Sequence, residues 1–146
     1  MYSNSRTDLY DYLYDVFWGT TKNIYIMEEP TELTAQDSEE GFIVIRVGDI
    51  YDEGEFSKHA YGRVRCYVSA YIPCTSRGRV NRKLYRQYES GISSAITTEA
   101  TRGNDSFYSI EESDVLTIAD DVTTSEDNYF FIFVKSFIVN IDRDNN

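Results

Sequence analysis

Residues 129–141 read Tyr-Phe-Phe-Ile-Phe-Val-Lys-Ser-Phe-Ile-Val-Asn-Ile, and this stretch decides the fold. Aromatic and β-branched residues dominate both of its faces, as is typical of a central strand that is covered on both sides. At about 3.4 Å per residue such a strand spans roughly 44 Å, which is longer than a compact domain of this size is wide. We therefore expect a central strand that bends, breaks or overhangs the body.

Two earlier stretches predict strands beside it. Residues 41–47 are nearly continuous in apolar character and predict a covered strand, whereas residues 61–72 alternate and are expected to end at Pro73, which cannot donate to a ladder. The core face of the alternating stretch holds Val64, Cys66, Val68, Ala70 and Ile72. The other face, which meets water or a partner, holds Tyr61, Arg63, Arg65, Tyr67, Ser69 and Tyr71. Residues 48–60 are expected to connect the two strands as a long hairpin.

The rest of the chain predicts shorter elements. Residues 23–27 read as a short strand, and residues 28–40, rich in Asp and Glu, read as a surface loop. One or two strands are expected within residues 107–118, followed by an acidic turn over residues 119–127.

Two amphipathic helices are expected, over residues 6–18 and 79–96. The first has an apolar side with Leu9, Leu13, Val16 and Phe17. Its opposite side carries Asp8, Asp11 and Asp15. The second has an apolar stripe of Val80, Leu84, Tyr88, Ile92 and Ala95. Opposite that stripe lie Arg79, Arg82, Lys83 and Arg86.

These elements together predict the fold class. The length of 146 residues and the apolar content of 41% are those of one globular domain, since a chain of this size buries about 70% of its unfolded surface. We expect an α+β domain over residues 1–146, with a mixed, mostly antiparallel sheet, two helices packed on it and a long β-hairpin. Residues 1–4 and 142–146 are expected to be flexible. No apolar run approaches the length of a membrane span.

Charge is unevenly distributed along the chain. The sequence has 14 Lys and Arg, 25 Asp and Glu and a net charge of −11, which argues against a free nucleic-acid binder. Residues 56–88 nevertheless hold eight Lys and Arg and no Asp or Glu, a local charge of +8 that leaves −19 on the remainder. This basic band is either a solvated surface or a contact surface for another copy or for phosphate.

The sequence contains no recognised arrangement of catalytic or ligand-binding residues. No phosphate-binding loop, dinucleotide fingerprint or nucleophile elbow is present, and the single histidine, His59, has no partner at ligand spacing. Cys66 and Cys74 would lie some 26 Å apart on an extended strand, so they are expected to be reduced. We expect no enzyme activity, no metal and no cofactor. A carboxylate-metal hydrolase or nuclease site is suggested only by the density of acidic residues at Asp49, Asp52, Glu53 and Glu55.

The order of elements resembles that of the tail-terminator and neck-ring proteins of tailed bacteriophages, including neck rings of crAss-like phages. The likeness is closest over residues 41–47 and, after the hairpin, over Arg-Cys-Tyr-Val-Ser-Ala-Tyr-Ile-Pro at residues 65–73 and the helix 79–96. As a pattern it covers residues 6–141. The resemblance implies a mixed sheet with two helices, assembled into homomeric rings around a channel and without enzyme activity. It also implies assembly in the bacterial cytoplasm and a final location in the virion.

Partners follow from the same resemblance. They are other copies of the chain, neighbouring neck, portal-adaptor or tail proteins, and DNA only in passing through the channel, with no membrane. From the charged sides of the two helices and the non-core face of residues 61–72, the residues expected at subunit contacts are Asp8, Asp11, Asp15, Arg63, Arg65, Tyr67, Tyr71, Arg79, Arg82, Lys83 and Arg86. An alternative function is an acidic module that imitates the charge of DNA and inhibits a host nucleic-acid enzyme, although the basic band argues against it.

Overall fold

A computed structural model describes residues 6–21, 23–28, 30, 32–51, 61–75, 79–101, 108–125 and 128–142. The described part of the chain holds three helices and five strands. In chain order they are α1 (Arg6–Phe17), β1 (Ile24–Ile26), α2 (Ala35–Glu40), β2 (Phe42–Tyr51), β3 (Tyr61–Cys74), α3 (Arg82–Thr101), β4 (Tyr108–Ser125) and β5 (Asn128–Asp142).

The five strands form one mixed sheet in the order β1-β2-β3-β5-β4. Only β1 and β2 are parallel, and the other three pairs are antiparallel. The predicted α+β class, with a mostly antiparallel sheet and helices packed on it, is confirmed. The most apolar stretch is β5, which lies between β3 and β4. A central position suits it because apolar side chains on both faces are buried and both edges are hydrogen-bonded only inside a sheet.

β3 pairs with β5 along its whole length, from Tyr61 opposite Asp142 to Cys74 opposite Tyr129. Asp142, which was expected to be flexible, therefore belongs to the sheet. The expectation that Pro73 ends β3 was also wrong, since the strand continues to Cys74. Pro73 is tolerated there because β2 begins only at Phe42, opposite Tyr71, so no residue of β2 is paired with Pro73.

The predicted acidic turn over residues 119–127 was wrong. β4 is one strand of 18 residues that continues to Ser125 and pairs there with Asn128 of β5. Pairing with the apolar strand β5 outweighs the low strand propensity of the aspartates, because strand preference depends mainly on context. The register of β4 shifts between Glu111 and Leu116 and again between Ala119 and Asp121, and such shifts bend a long hairpin.

Helices α1 and α3 lie on one face of the sheet and enclose the core. The helical residues buried there are Leu9, Tyr10, Tyr12, Leu13, Phe17, Tyr88, Ile92 and Ile96. The sheet contributes the five predicted inward residues of β3, all fully buried, together with Phe133, Phe137 and Val139 of β5. The alternating pattern of β3 and the apolar stripes of both helices therefore indicated the correct core face. Tyr12, which lay outside the predicted stripe, is buried as well.

The predicted surface loop over residues 28–40 contains the short helix α2. Its start is a capping box: the Thr34 hydroxyl accepts from the Asp37 N–H, and the Asp37 carboxylate accepts from the Thr34 N–H. Asp37 is buried and its Oδ2 also accepts a 2.5 Å hydrogen bond from the Tyr25 hydroxyl. The loop prediction failed because this acidic residue, unlike its neighbours, faces inward and fixes the helix.

Two tyrosine hydroxyls form hydrogen bonds with backbone groups, one beside the end of β1 and one at the end of α2. At Met27, where φ is +75°, the chain turns away from β2, and the next N–H of β2, that of Val47, donates instead to the Tyr10 hydroxyl at 3.0 Å. On the other side of α2, the Tyr88 hydroxyl donates to the Glu40 carbonyl at 2.8 Å. These contacts satisfy backbone groups that would otherwise be left unpaired at the end of β1 and the end of α2.

Candidate interaction surfaces

A basic cluster lies at the N-terminal end of α3. The helix begins after Asn81, whose Oδ1 accepts from the N–H groups of Lys83 and Leu84, so that the first turn is capped. The cluster consists of Arg79, Arg82, Lys83 and Arg86, all exposed. Arg79 precedes α3 rather than lying within it, a small departure from the predicted helix. Arg82, Lys83 and Arg86 line a shallow groove of about 500 Å³ with Gln87 and Ser90.

The basic cluster brings four cationic side chains together. Within the described residues, no ion pair joins any of the four to an acidic side chain. A solvated cluster of like charges repels itself, and an acidic partner surface relieves that repulsion.

An acidic cluster lies on α1. Asp11 and Asp15 are exposed, and Asp8 is half-buried in the first turn. The apolar side of the helix, with Leu9 and Leu13, faces the sheet. As predicted, the charged side of α1 is exposed and its apolar side is buried.

The two clusters lie at opposite ends of the helical layer. α1 and α3 run antiparallel: the Tyr12 hydroxyl donates a 2.7 Å hydrogen bond to Glu99 Oε2, and further along Thr20 is so close to Gly91 that an added Cβ would lie 2.8 Å from its Cγ2. Asp11 and Asp15 therefore lie beside the C-terminal part of α3. With a rise of 1.5 Å per residue, the acidic cluster is about 20 Å from the basic one along the layer.

The sheet face opposite α1 and α3, here called the second face, carries the predicted Arg63, Arg65 and Tyr67, all half-buried. Arg63 donates from Nε and Nη2 to Glu111 Oε2 at 3.2 and 2.8 Å, and Arg65 Nη1 donates to Ser136 Oγ at 3.0 Å. Both guanidinium groups are thus held against neighbouring strands.

Tyr71 does not fit its predicted role as a contact residue. Its side chain is 4% exposed because it stacks on Phe42, with ring centroids 4.5 Å apart, and meets the edge of Phe130. With Val44 these residues form a second apolar cluster, against which Leu33 packs. One end of the second face is therefore filled by the subunit itself.

Arg46 was missed as a surface residue. It lies on β2 directly opposite Tyr67 and is half-buried on the second face. Residues 41–47 were interpreted as covered on both sides, and the lone arginine in this apolar run was the signal that one side opens toward its end. Asp37 also had a signal, the Thr34-x-x-Asp37 spacing of a capping box.

The two cysteines of the chain, Cys66 and Cys74, are free thiols, as predicted. Burial raises the pKa of the Cys74 thiol. Across the described ranges no group of three or more His, Cys, Asp or Glu side chains is arranged to hold a metal ion. His59 and three of the four suggested carboxylates, at positions 52, 53 and 55, lie outside those ranges. No helix of the described chain is long and apolar enough to cross a membrane.

A polar groove of about 400 Å³ lies where α2, α3 and the end of α1 meet. Its lining includes Thr20, Asn23, Gln36, Glu40 and Tyr88, of which only Glu40 carries a formal charge at neutral pH. Burial, more than the neighbouring Asp37 and Glu40, raises the pKa of Tyr88 to about 12. The hydroxyl is therefore a stable hydrogen-bond donor and a poor proton acceptor at neutral pH.

Comparison of the sequence with protein-family models finds no match. Comparison with curated proteins finds no relative either.

Proposed function

We propose that this protein is a structural subunit that assembles head to tail into a homomeric ring in the neck or at the tail-tube end of a tailed bacteriophage, joining head and tail. In this proposal the protein belongs to the virion and is not an enzyme. The phage assignment derives from the resemblance in element order. The mixed sheet with helices on one face is the fold which that resemblance implies, and it supports the proposal.

The main observation in support of a ring is the separation of the acidic and basic clusters along the helical layer. The acidic cluster of α1 and the basic cluster of α3 are about 20 Å apart, too far to neutralise one another across solvent at physiological salt, where screening acts over about 8 Å. Each subunit thus presents two complementary surfaces at opposite ends. Such heterologous surfaces generate rings when the rotation between neighbours closes.

A two-fold dimer would satisfy the same charges, because the acidic cluster of each copy could meet the basic cluster of the other. Oligomer mass separates the two arrangements. We expect a mass well above that of a dimer at low salt, falling as salt rises, in size-exclusion chromatography with light scattering. Electron microscopy of the same sample should show closed rings. A dimer, or a monomer at all salt concentrations, would contradict the proposed assembly.

A charge-swap series tests which surfaces meet. Arg82→Glu with Arg86→Glu should reduce the assembled mass, and so should Asp11→Arg with Asp15→Arg. The four substitutions combined in one chain should restore assembly, because each contact then pairs opposite charges again. All four side chains are exposed, and circular dichroism would check that each variant keeps the fold. Assembly that survives both reversals would assign the contact to another surface.

The alternative function, an acidic inhibitor of a host nucleic-acid enzyme, is favoured by the net charge of −11. The exposed basic cluster weighs against it, since a charge mimic of DNA presents one sign over its binding surface. Affinity capture from bacterial lysate discriminates between the two. Recovery of a DNA-binding enzyme, released by competing duplex DNA, would favour the inhibitor and count against the ring.

A further inference from the structure

The exposed side of α1 carries two aromatic side chains among its acidic ones. Tyr14 and Trp18 lie four residues apart, with ring centroids 5.3 Å apart and ring planes inclined by 30°. With 3.6 residues per turn, both lie on the same side of the helix as Asp11 and Asp15. Trp18 directly follows α1, and its N–H donates to the Asp15 carbonyl, so it continues the last turn. These four residues form an aromatic-acidic stripe.

Trp18 is a large apolar side chain that remains partly in contact with water. Its side chain is 43% exposed, and Tyr14 beside it is half-buried. The contact between the two rings orients the indole on the helix surface. Tryptophan and tyrosine are among the side chains that most often dominate the binding energy of protein–protein contacts. The stripe therefore offers an oriented aromatic surface to a partner.

The carboxylates of the stripe select the chemical group that its aromatic surface can receive. Nucleic-acid bases stack on aromatic rings, but the phosphates that accompany them are repelled by the exposed carboxylate of Asp11. An apolar side chain would take water from Asp11 and Asp15 without replacing its hydrogen bonds. A guanidinium group avoids both costs, because it stacks on indole and donates to carboxylates.

The basic cluster of α3 supplies such groups at a matching spacing. Three of its four cations are arginines, Arg79, Arg82 and Arg86. Arg82 and Arg86 lie four residues apart on α3, about 6 Å along the helix axis, which is also the spacing of the two aromatic residues on α1. Within one copy the acidic and basic clusters are about 20 Å apart, so these guanidinium groups can reach the stripe only from another copy.

We infer that the aromatic-acidic stripe receives the guanidinium groups of Arg82 and Arg86 from the neighbouring copy, which stack on its two aromatic rings and donate to its two carboxylates. This assignment rests on the proposed head-to-tail ring and names the side chains that form its contact. Charge attraction alone would accept lysine equally well, whereas stacking requires the planar guanidinium group. The contact should therefore depend on arginine and not only on positive charge.

The test compares variants of the intact protein with the parent by light scattering over a range of protein concentrations at low salt. Arg82→Lys with Arg86→Lys, the lysine pair, keeps the charge of the basic cluster and removes its planar groups. Trp18→Ala removes the indole. The matched control is Met27→Ala, which removes an apolar side chain that is 58% exposed elsewhere on the surface. Circular dichroism checks that each variant keeps the fold.

The midpoint of assembly should move to about fivefold higher protein concentration in the lysine pair and in Trp18→Ala, and at most twofold higher in Met27→Ala. Trp18→Ala combined with the lysine pair should weaken assembly little more than either change alone, because both remove the same contact. Trp18 is the only tryptophan of the chain, so its fluorescence reports the contact directly. Its emission should shift to shorter wavelength when the parent assembles.

Two results would overturn the inference while leaving a charge-driven ring intact: assembly of the lysine pair at the parent's concentration, or Trp18 emission that does not change on assembly. Additive losses in the combined variant would also overturn it, since they would show two separate contacts. A parent that stays monomeric at every concentration would contradict the proposed ring itself, and the stacking contact with it.

Discussion

Tyr12 and Glu99 join the two long helices of the fold, with the Tyr12 hydroxyl 2.7 Å from Glu99 Oε2. The Tyr12 ring packs on Tyr108 of β4, with ring centroids 4.9 Å apart, so a single side chain links α1 to α3 and to the sheet. This contact places the middle of α1 beside the C-terminal part of α3. It is one of the two contacts from which the distance between the acidic and basic clusters follows.

Removing this hydrogen bond should destabilise the fold moderately. Tyr12→Phe keeps the ring packing and loses the bond to a carboxylate, which should cost about 1 to 2 kcal/mol of unfolding free energy. Urea denaturation of Tyr12→Phe, Glu99→Gln and the double variant gives the coupling energy between the two side chains. Strictly additive losses would show that the bond contributes nothing to stability.

The core face of the helices can be tested by truncation. Leu13 is fully buried on α1, so Leu13→Ala should lower the free energy of unfolding by about 2 to 5 kcal/mol. Leu84 is only half-buried at the start of α3, and Leu84→Ala should cost less, about 1 kcal/mol. Chemical denaturation measures both. A smaller loss at Leu13 than at Leu84 would contradict the burial described here.

Asp37 is a buried carboxylate whose two oxygens differ in their hydrogen bonds. Its Oδ2 accepts from the Tyr25 hydroxyl and the Thr34 N–H, whereas its Oδ1 has no hydrogen-bond partner among the described residues. Asp37→Ala leaves both donors unsatisfied and should cost about 2 to 3 kcal/mol. Asp37→Asn retains an acceptor oxygen and removes the buried charge, so it should lose less than half as much. Denaturation midpoints compare them, and an equal loss would show that the charge itself is required.

Alkaline pH should weaken the fold through two tyrosines. Burial raises the pKa of Tyr25 to about 12, helped by its hydrogen bond to Asp37, and burial raises that of Tyr88 to about 12. Because the unfolded tyrosines ionise near pH 10, their contribution is complete below about pH 10 and is lost as pH rises toward about 12. The double variant Tyr25→Phe with Tyr88→Phe should flatten this pH dependence. Urea unfolding at several pH values measures the slope, which would be the same in both proteins if these groups were not responsible.

Amide exchange should rank the strands. β5 is paired on both edges, so its amides should exchange most slowly, and β1, a strand of three residues at the edge, should exchange much faster. Amides near the register shifts of β4 should fall between these limits. Hydrogen exchange followed by NMR reports each site. Rapid exchange along the whole of β5 would contradict its central position.

Much of this fold could be predicted from local patterns, because burial on one side leaves a period in the sequence. The alternation of β3 identified its core face, and the spacing of Leu9 and Leu13 identified that of α1. β4 could not be predicted in the same way: its aspartates are tolerated through pairing with β5, a contact with another part of the chain. α2 was also not predicted, because its first turn depends on one buried carboxylate, that of Asp37, whereas several neighbouring acidic side chains face water.

The residues that make up each candidate surface could be predicted from the sequence, but the positions of the surfaces relative to one another could not. Helical periodicity grouped Arg82, Lys83 and Arg86 on one side and Asp11 and Asp15 on another. Their separation depends on α1 and α3 being antiparallel, which is seen only from contacts between distant parts of the chain, Tyr12 with Glu99 and Thr20 with Gly91. Tyr71 was assigned to a contact because alternation indicates a face and not what covers it; here Phe42 and Phe130 cover it.

The strand order has a consequence for synthesis of the chain. β3 pairs with β5 along its full length, yet α3 and β4 intervene between them in the sequence, and β5 is the last of the five strands to leave the ribosome. Until then one edge of β3 has no partner and its apolar side chains have no complete core. The nascent chain therefore exposes an unpaired strand edge until β5 arrives, and folding after release should be limited by closing this long loop rather than by the local β4–β5 hairpin.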